Sequence, residues 1–76
     1  MSTYDLDASG LLCPMPVIKT QDFIRALKTG DTVSVHCTDP GAMNDIPAWC
    51  RINGHKILES KLEDGHVLIR IEVGNT

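Results

Sequence analysis

Residues 67–73, VLIRIEV, set the strongest constraint on the fold. Successive side chains of a strand point to opposite faces. Val67, Ile69, Ile71 and Val73 therefore share one face, and Leu68, Arg70 and Glu72 share the other. A sheet made of such strands has one face to bury and one to leave wet. The same alternation recurs twice upstream. Tyr4, Leu6 and Ala8 alternate with Asp5 and Asp7, and Thr32-Val33-Ser34-Val35-His36-Cys37 continues the pattern. A further strand over Lys56 to Leu62 pairs with Val67 to Val73 through an Asp64-Gly65 hairpin turn.

Two stretches break the period of two. From Cys13 to Thr29, the residues Val17, Ile18, Ile24 and Leu27 recur at helical spacing, and Gly30 closes the segment as a C′ residue. After the Asp39-Pro40-Gly41 turn comes a second helix. Pro47 lacks an N–H and fits the first turn, which puts the N-cap at Asn44 or Asp45. Ile46, Trp49, Cys50 and Met43 form its apolar face, and Gly54 ends it. The order is β-α-β-α-β-β, with a right-handed parallel crossover in the first unit. The expected fold is α+β, an open two-layer sandwich: a four-stranded mixed sheet with both helices on one face. Ser34, His36, Arg70 and Glu72 then lie on the open face. The 76 residues allow one domain, 1–76, with a thin core.

Charge excludes some functions. Ten acids against seven bases give a net charge of −3. The bases are scattered among acids, whereas nucleic-acid affinity depends on clustered Lys and Arg. The N-terminus, MSTYDLDASG, has no apolar signal-like core. No apolar run approaches the roughly 20 residues of a membrane span. A cytoplasmic protein with no direct nucleic-acid or membrane partner is expected.

The three cysteines are Cys13, Cys37 and Cys50. An odd number leaves at least one free thiol. Cys37 alternates with Val33 and Val35, and Cys50 lies one turn from Ile46, so both read as small core residues. A zinc site from Cys37, Cys50 and His55 lacks the close ligand pairs such sites use. His36 falls on the polar face, and His55 and His66 at strand edges, all three solvated.

Cys13 differs in its setting, Gly10-Leu11-Leu12-Cys13-Pro14-Met15-Pro16. It takes the N-cap position of the first helix, with Pro14 at N1 and Pro16 at N3, both stiffening the turn. Sites in β-α-β units gather beyond the carboxyl ends of the parallel strands. The loops over Ser9–Cys13 and Thr38–Asn44 meet there. A helix N-terminus favours the thiolate. Of the cap donors only the Met15 N–H is available, since prolines have none. No basic side chain lies within five residues. A modest lowering of the thiol pKa is the expectation. Leu11, Leu12 and Met15 either tuck under the helix or form a docking surface. Asp39 and Asp45 read as turn and cap residues; Asp39 is also a candidate border of the Cys13 site.

"LDASGLLCPMP" resembles the signature of the TusA/SirA family, small proteins with a Cys-Pro-x-Pro motif at the start of the first helix. "TDPGAMNDIPAWC", "GHKILES" and the closing hairpin continue the resemblance over nearly the whole chain. The resemblance implies the same two-layer sandwich. It also implies a sulfur carrier that accepts sulfane sulfur as a persulfide on Cys13, with Pro14, Met15 and Pro16 as its motif neighbours. No metal or organic cofactor is implied. The implied partners are a donor, either a rhodanese or a cysteine desulfurase, and an acceptor such as a DsrE-like protein. Relatives in tRNA 2-thiouridine synthesis carry a basic residue before the cysteine and an acidic one between the prolines. Here those positions hold Leu12 and Met15, which points instead to sulfur trafficking linked to sulfur oxidation.

A carrier suits these residues better than a stand-alone catalyst: so small a domain offers no deep substrate pocket, and no general base sits beside Cys13 in sequence. Two other classes remain. A thiol redox or regulatory protein needs a resolving cysteine near Cys13. A binding module using the open sheet face would need exposed aromatic or basic groups.

Overall fold

The computed structural model describes residues 2–74. Its elements are β1 (Thr3–Ala8), α1 (Met15–Ile24), β2 (Thr32–Cys37), α2 (Ala42–Ile52), β3 (Lys56–Glu63) and β4 (His66–Glu72). The sheet order is β1-β2-β4-β3, with β1 and β2 parallel and the other neighbours antiparallel. The expected β-α-β-α-β-β mixed sheet is present. The ends of the expected single domain, residues 1, 75 and 76, lie outside the described residues.

The alternation read from the sequence is the burial pattern of the sheet. Val33, Val35, Cys37, Val67, Ile69, Ile71 and Val73 are all buried, and Ile24, Ala42, Ile46 and Cys50 meet them from the helices. Phe23, Val17 and Leu27 of the α1 segment and Trp49 of α2 pack on the margin of this core. The opposite face carries polar ladders, including Asp5–His36 at 3.6 Å and Glu59–Arg70 at 3.7 Å. Such exposed pairs contribute no more than about 1 kcal/mol each. Asp64 and Gly65 both have positive φ, 52° and 76°, as a two-residue type I′ hairpin requires.

Both helices depart from their expected limits. α1 starts two residues later than Cys13, with Pro14 as N-cap, Met15 and Pro16 opening the helix, and it ends at Ile24 rather than Thr29. Beyond Ile24 the chain tightens: the Leu27 N–H donates to the Ile24 carbonyl at 2.9 Å. The Asp31 carboxylate then accepts from the Lys28 and Ser2 N–H groups, both at 2.9 Å. Gly30 is therefore a turn residue before β2, not the helix terminator. Ile18 was expected on the buried stripe but is 42% exposed. Thr20 takes the buried place, its hydroxyl donating to the Pro16 carbonyl at 2.8 Å.

α2 starts at Ala42 with Gly41 as N-cap, ahead of the expected cap at Asn44 or Asp45. Asp39 is the reason. Its carbonyl accepts the Ala42 N–H and its carboxylate accepts the Gly41 N–H, each at 3.0 Å, so the Asp-Pro-Gly turn feeds directly into the helix. Pro47 consequently sits inside α2 rather than in its first turn, and the Met43 carbonyl forgoes its usual i+4 donor. The helix ends near Gly54 as expected, with the His55 N–H returning to the Cys50 carbonyl at 2.8 Å, the six-to-one bond of a Schellman cap. His55 is not solvated. It is buried, stacks on Trp49 with ring centroids 5.1 Å apart, and accepts the Gly74 N–H at Nδ1, 3.0 Å away.

Candidate functional site

The carboxyl ends of β1 and β2 carry the two loops that the parallel pairing predicts. Gly10 has φ +80°, and nothing would contact a side chain there; the backbone conformation, not space, calls for glycine. Its N–H donates to Thr38 Oγ1 at 2.9 Å, the first tie between the loops. The second tie is the Cys13 N–H to Asp39 Oδ2 at 2.8 Å. The third joins side chains: the Cys13 thiol donates to Asp45 Oδ2, with Sγ 3.0 Å from the oxygen.

Cys13 is exposed, while Cys37 and Cys50 are buried. Burial pushes the Cys50 thiol up to about 12. Cys37 is also raised, by burial first and then by Asp39 and Asp7. Cys13 is raised as well, which reverses the lowered value expected from its place at a helix tip. The Asp45 hydrogen bond is the main cause, followed by desolvation and the nearby charges of Asp45 and Asp39. The expected cap donor is missing because the Met15 N–H donates to the Leu12 carbonyl at 2.8 Å. Pro14 and Pro16 have no N–H to offer, so the helix dipole acts without a directed hydrogen bond. Asp39 is held below its ordinary value by the N–H groups of Gly41 and Cys13.

Around the sulfur the surface is apolar on one side. Leu12 is 74% exposed, and Met15 and Ile18 are also exposed. Leu11 instead packs against the core, and Pro16, in the first turn of α1, is buried. Leu11 thus tucks under the helix, while Leu12 and Met15 do not.

Asp45 is the site residue that the sequence reading missed. It lies 32 positions from Cys13 and was assigned to a cap. The available signal was the Asp-Pro-Gly turn. Once that turn is taken as the start of α2, Asp45 falls in the helix's first turn, at the same sheet edge as Cys13. Among the described residues no group of three or more His, Cys, Asp or Glu side chains is placed to hold a metal. A cleft of about 420 Å³ opens at the β3–β4 hairpin end and is lined by His36, Lys61, His66 and Leu68 among others; neither Cys13 nor Asp45 belongs to it.

Residues 4–73 match the family model described as "Sulfurtransferase TusA". The chain belongs to the TusA family. It is 44% identical over 63 residues to YrkI of Bacillus subtilis, covering 83% of each chain. It is 40% identical over 68 residues to the sulfur carrier protein TusA of Allochromatium vinosum, covering 87% of this chain and 90% of that one. The fold of a SirA-like protein from Desulfitobacterium hafniense superposes with a TM-score of 0.81 at 24% identity, over 95% of this chain and 99% of the other. The TusA relatives support a sulfur-carrier role. No helix among the described residues is long and apolar enough to cross a membrane.

Proposed function

We propose that the protein carries sulfane sulfur as a persulfide on Cys13 and passes it between a donor and an acceptor protein in the cytoplasm. One observation carries this reading: Cys13 is the exposed thiol, fixed at its backbone by Asp39 at 2.8 Å, while the other two cysteines are buried. A nucleophile pinned at an edge can enter a partner's active site without the carrier unfolding. The burial of Cys37 and Cys50 speaks against a resolving cysteine, and so against a redox switch. Pro14 and Pro16 frame the reactive turn.

Loading is a redox-neutral transfer. Cys13–SH and a donor persulfide R–S–SH yield Cys13–S–SH and R–SH. The bond from the donor sulfur to the terminal sulfur breaks, the bond from Sγ to that sulfur forms, and the Cys13 proton ends on the donor thiol. A rhodanese or a cysteine desulfurase fits as donor and a DsrE-like protein as acceptor. Leu12 and Met15, apolar and exposed beside Cys13, favour a partner surface of the sulfur-oxidation type over the tRNA relay.

The test is a transfer assay with labelled sulfur. A loaded rhodanese and a loaded desulfurase are each offered to the carrier, and delivery to a DsrE-like acceptor is followed. Leu12→Asp and Met15→Asp are expected to slow loading from the protein donor while leaving loading from inorganic polysulfide unchanged. Equal slowing with both donors would remove the docking role of these two residues.

A further inference from the structure

Asp45 has no task in the persulfide chemistry just described, yet its carboxylate is the thiol's hydrogen-bond partner. It is half-buried in the first turn of α2, with Oδ2 3.0 Å from Sγ. Asp39 is committed elsewhere, accepting the Gly41 and Cys13 N–H groups. The charges that bear on Sγ are Asp45 from α2 and Asp39 from the β2–α2 loop. The charged side chains of α1 turn to other partners: Lys19 donates to the Asp7 carbonyl, and Asp22 faces Arg25 at 3.7 Å. An anion at Sγ would thus sit beside two carboxylates.

We propose that Asp45 is a latch that distinguishes the empty carrier from the loaded one: it accepts a hydrogen bond from the Cys13 thiol that Sγ of the persulfide cannot donate. The inference rests on the reading of Cys13 as the sulfur-bearing residue. In the empty chain the bond holds the thiol neutral and turned toward α2, a poor nucleophile for stray oxidants and electrophiles. Loading replaces the Sγ proton by a second sulfur, so the bond is gone. The terminal sulfur of a persulfide ionises more readily than a thiol, and like charge then drives it away from Asp45 and Asp39, outward to the side where a partner approaches. The latch opens on loading without any change of fold.

Two variants, Asp45→Asn and Asp45→Ser, test the latch, with folding checked by circular dichroism. The rate of Cys13 alkylation by iodoacetamide is measured against pH on the reduced chain. It is measured again on chain loaded with inorganic polysulfide, the loaded fraction being counted by intact mass. For each unit by which a thiol's pKa falls, the thiolate fraction well below it rises about tenfold. Intrinsic nucleophilicity falls roughly threefold over the same unit, leaving a net gain of about threefold. In both variants the empty-chain profile is expected to move to lower pH, with alkylation near neutral pH at least about twofold faster. The loaded chain is expected to react at the wild-type rate within about twofold, its sulfur being ionised already. An empty-chain profile that coincides with wild type overturns the proposal. So does equal acceleration of the empty and loaded forms, which marks a general loosening of the loop. Polysulfide loading that persists in Cys13→Ser overturns the persulfide reading, and the latch with it; the empty-chain profile reports separately on the hydrogen bond.

Discussion

Asp39 Oδ2 accepts the Cys13 N–H at 2.8 Å while its Oδ1 accepts the Gly41 N–H at 3.0 Å, so one side chain fixes the backbone of the exposed cysteine and shapes the turn that starts the second helix. Asp39→Ala removes both bonds. Loss of a helix-start carboxylate should lower the melting temperature by roughly 4 °C in a domain of this size. The two N–H groups depress the Asp39 pKa, so its contribution is present above the ordinary carboxylate value, near 3.9, and fades as pH falls through the lower folded value. Thermal melts of wild type and variant should therefore converge in strong acid and stay apart at neutral pH.

His55 titrates in the opposite chemical sense but erodes stability in the same direction. Burial lowers its pKa by penalising the charged ring, and the neutral ring accepts the Gly74 N–H at Nδ1. Below the ordinary histidine value, near 6.5, the unfolded chain takes up a proton that the folded one resists, so stability falls from there until the folded value is passed. His55→Gln should flatten the melting temperature between about pH 7 and pH 5 relative to wild type. An unchanged slope would place the titration elsewhere.

Ile46 and Ile52 lie on the same helix with opposite burial, 0% against 82% exposed. Ile46→Ala should cost about 2–5 kcal/mol, since it opens a cavity against the sheet. Ile52→Ala should change stability by less than about 0.5 kcal/mol. Denaturant unfolding of the two variants checks the helix register directly.

Cysteine labelling should be single-site. Iodoacetamide added to native protein is expected to modify Cys13 alone, with Cys37 and Cys50 reacting only after denaturant, as their burial and raised pKa values require. Labelling of Cys37 in the native state would contradict the core assigned to β2.

How much of this was legible in the sequence follows from range. The period of two in Val67–Val73 and Val33–Cys37 is a local pattern, and it placed the strands within a residue or so of their limits. Asp64-Gly65 announced its turn because few residues tolerate the backbone it needs. Pro47 misled because a proline at a helix start is the usual case, whereas here the Asp39-Pro40-Gly41 turn drew the start back to Ala42. The site divides the same way. Cys13 stood out through its neighbours Pro14 and Pro16, but its electrostatics depend on Asp45, 32 residues away. A thiol's local sequence shows which dipole it faces, not which carboxylate the fold brings beside it. Hence its pKa was expected to fall and is raised instead. His55 was misjudged for a related reason: its burial comes from Trp49 on α2 and from Gly74, which only the folded sheet brings near.

The central claim is that Cys13 bears the sulfur, and intact mass spectrometry tests it most directly. Wild type, Cys13→Ser and Cys50→Ser are each incubated with a loaded persulfide donor and weighed before and after reductant. Wild type and Cys50→Ser should each gain the mass of one sulfur atom, lost again on reduction, and Cys13→Ser should gain nothing. A sulfur that loads onto Cys13→Ser, or that fails to load onto Cys50→Ser, would contradict the account.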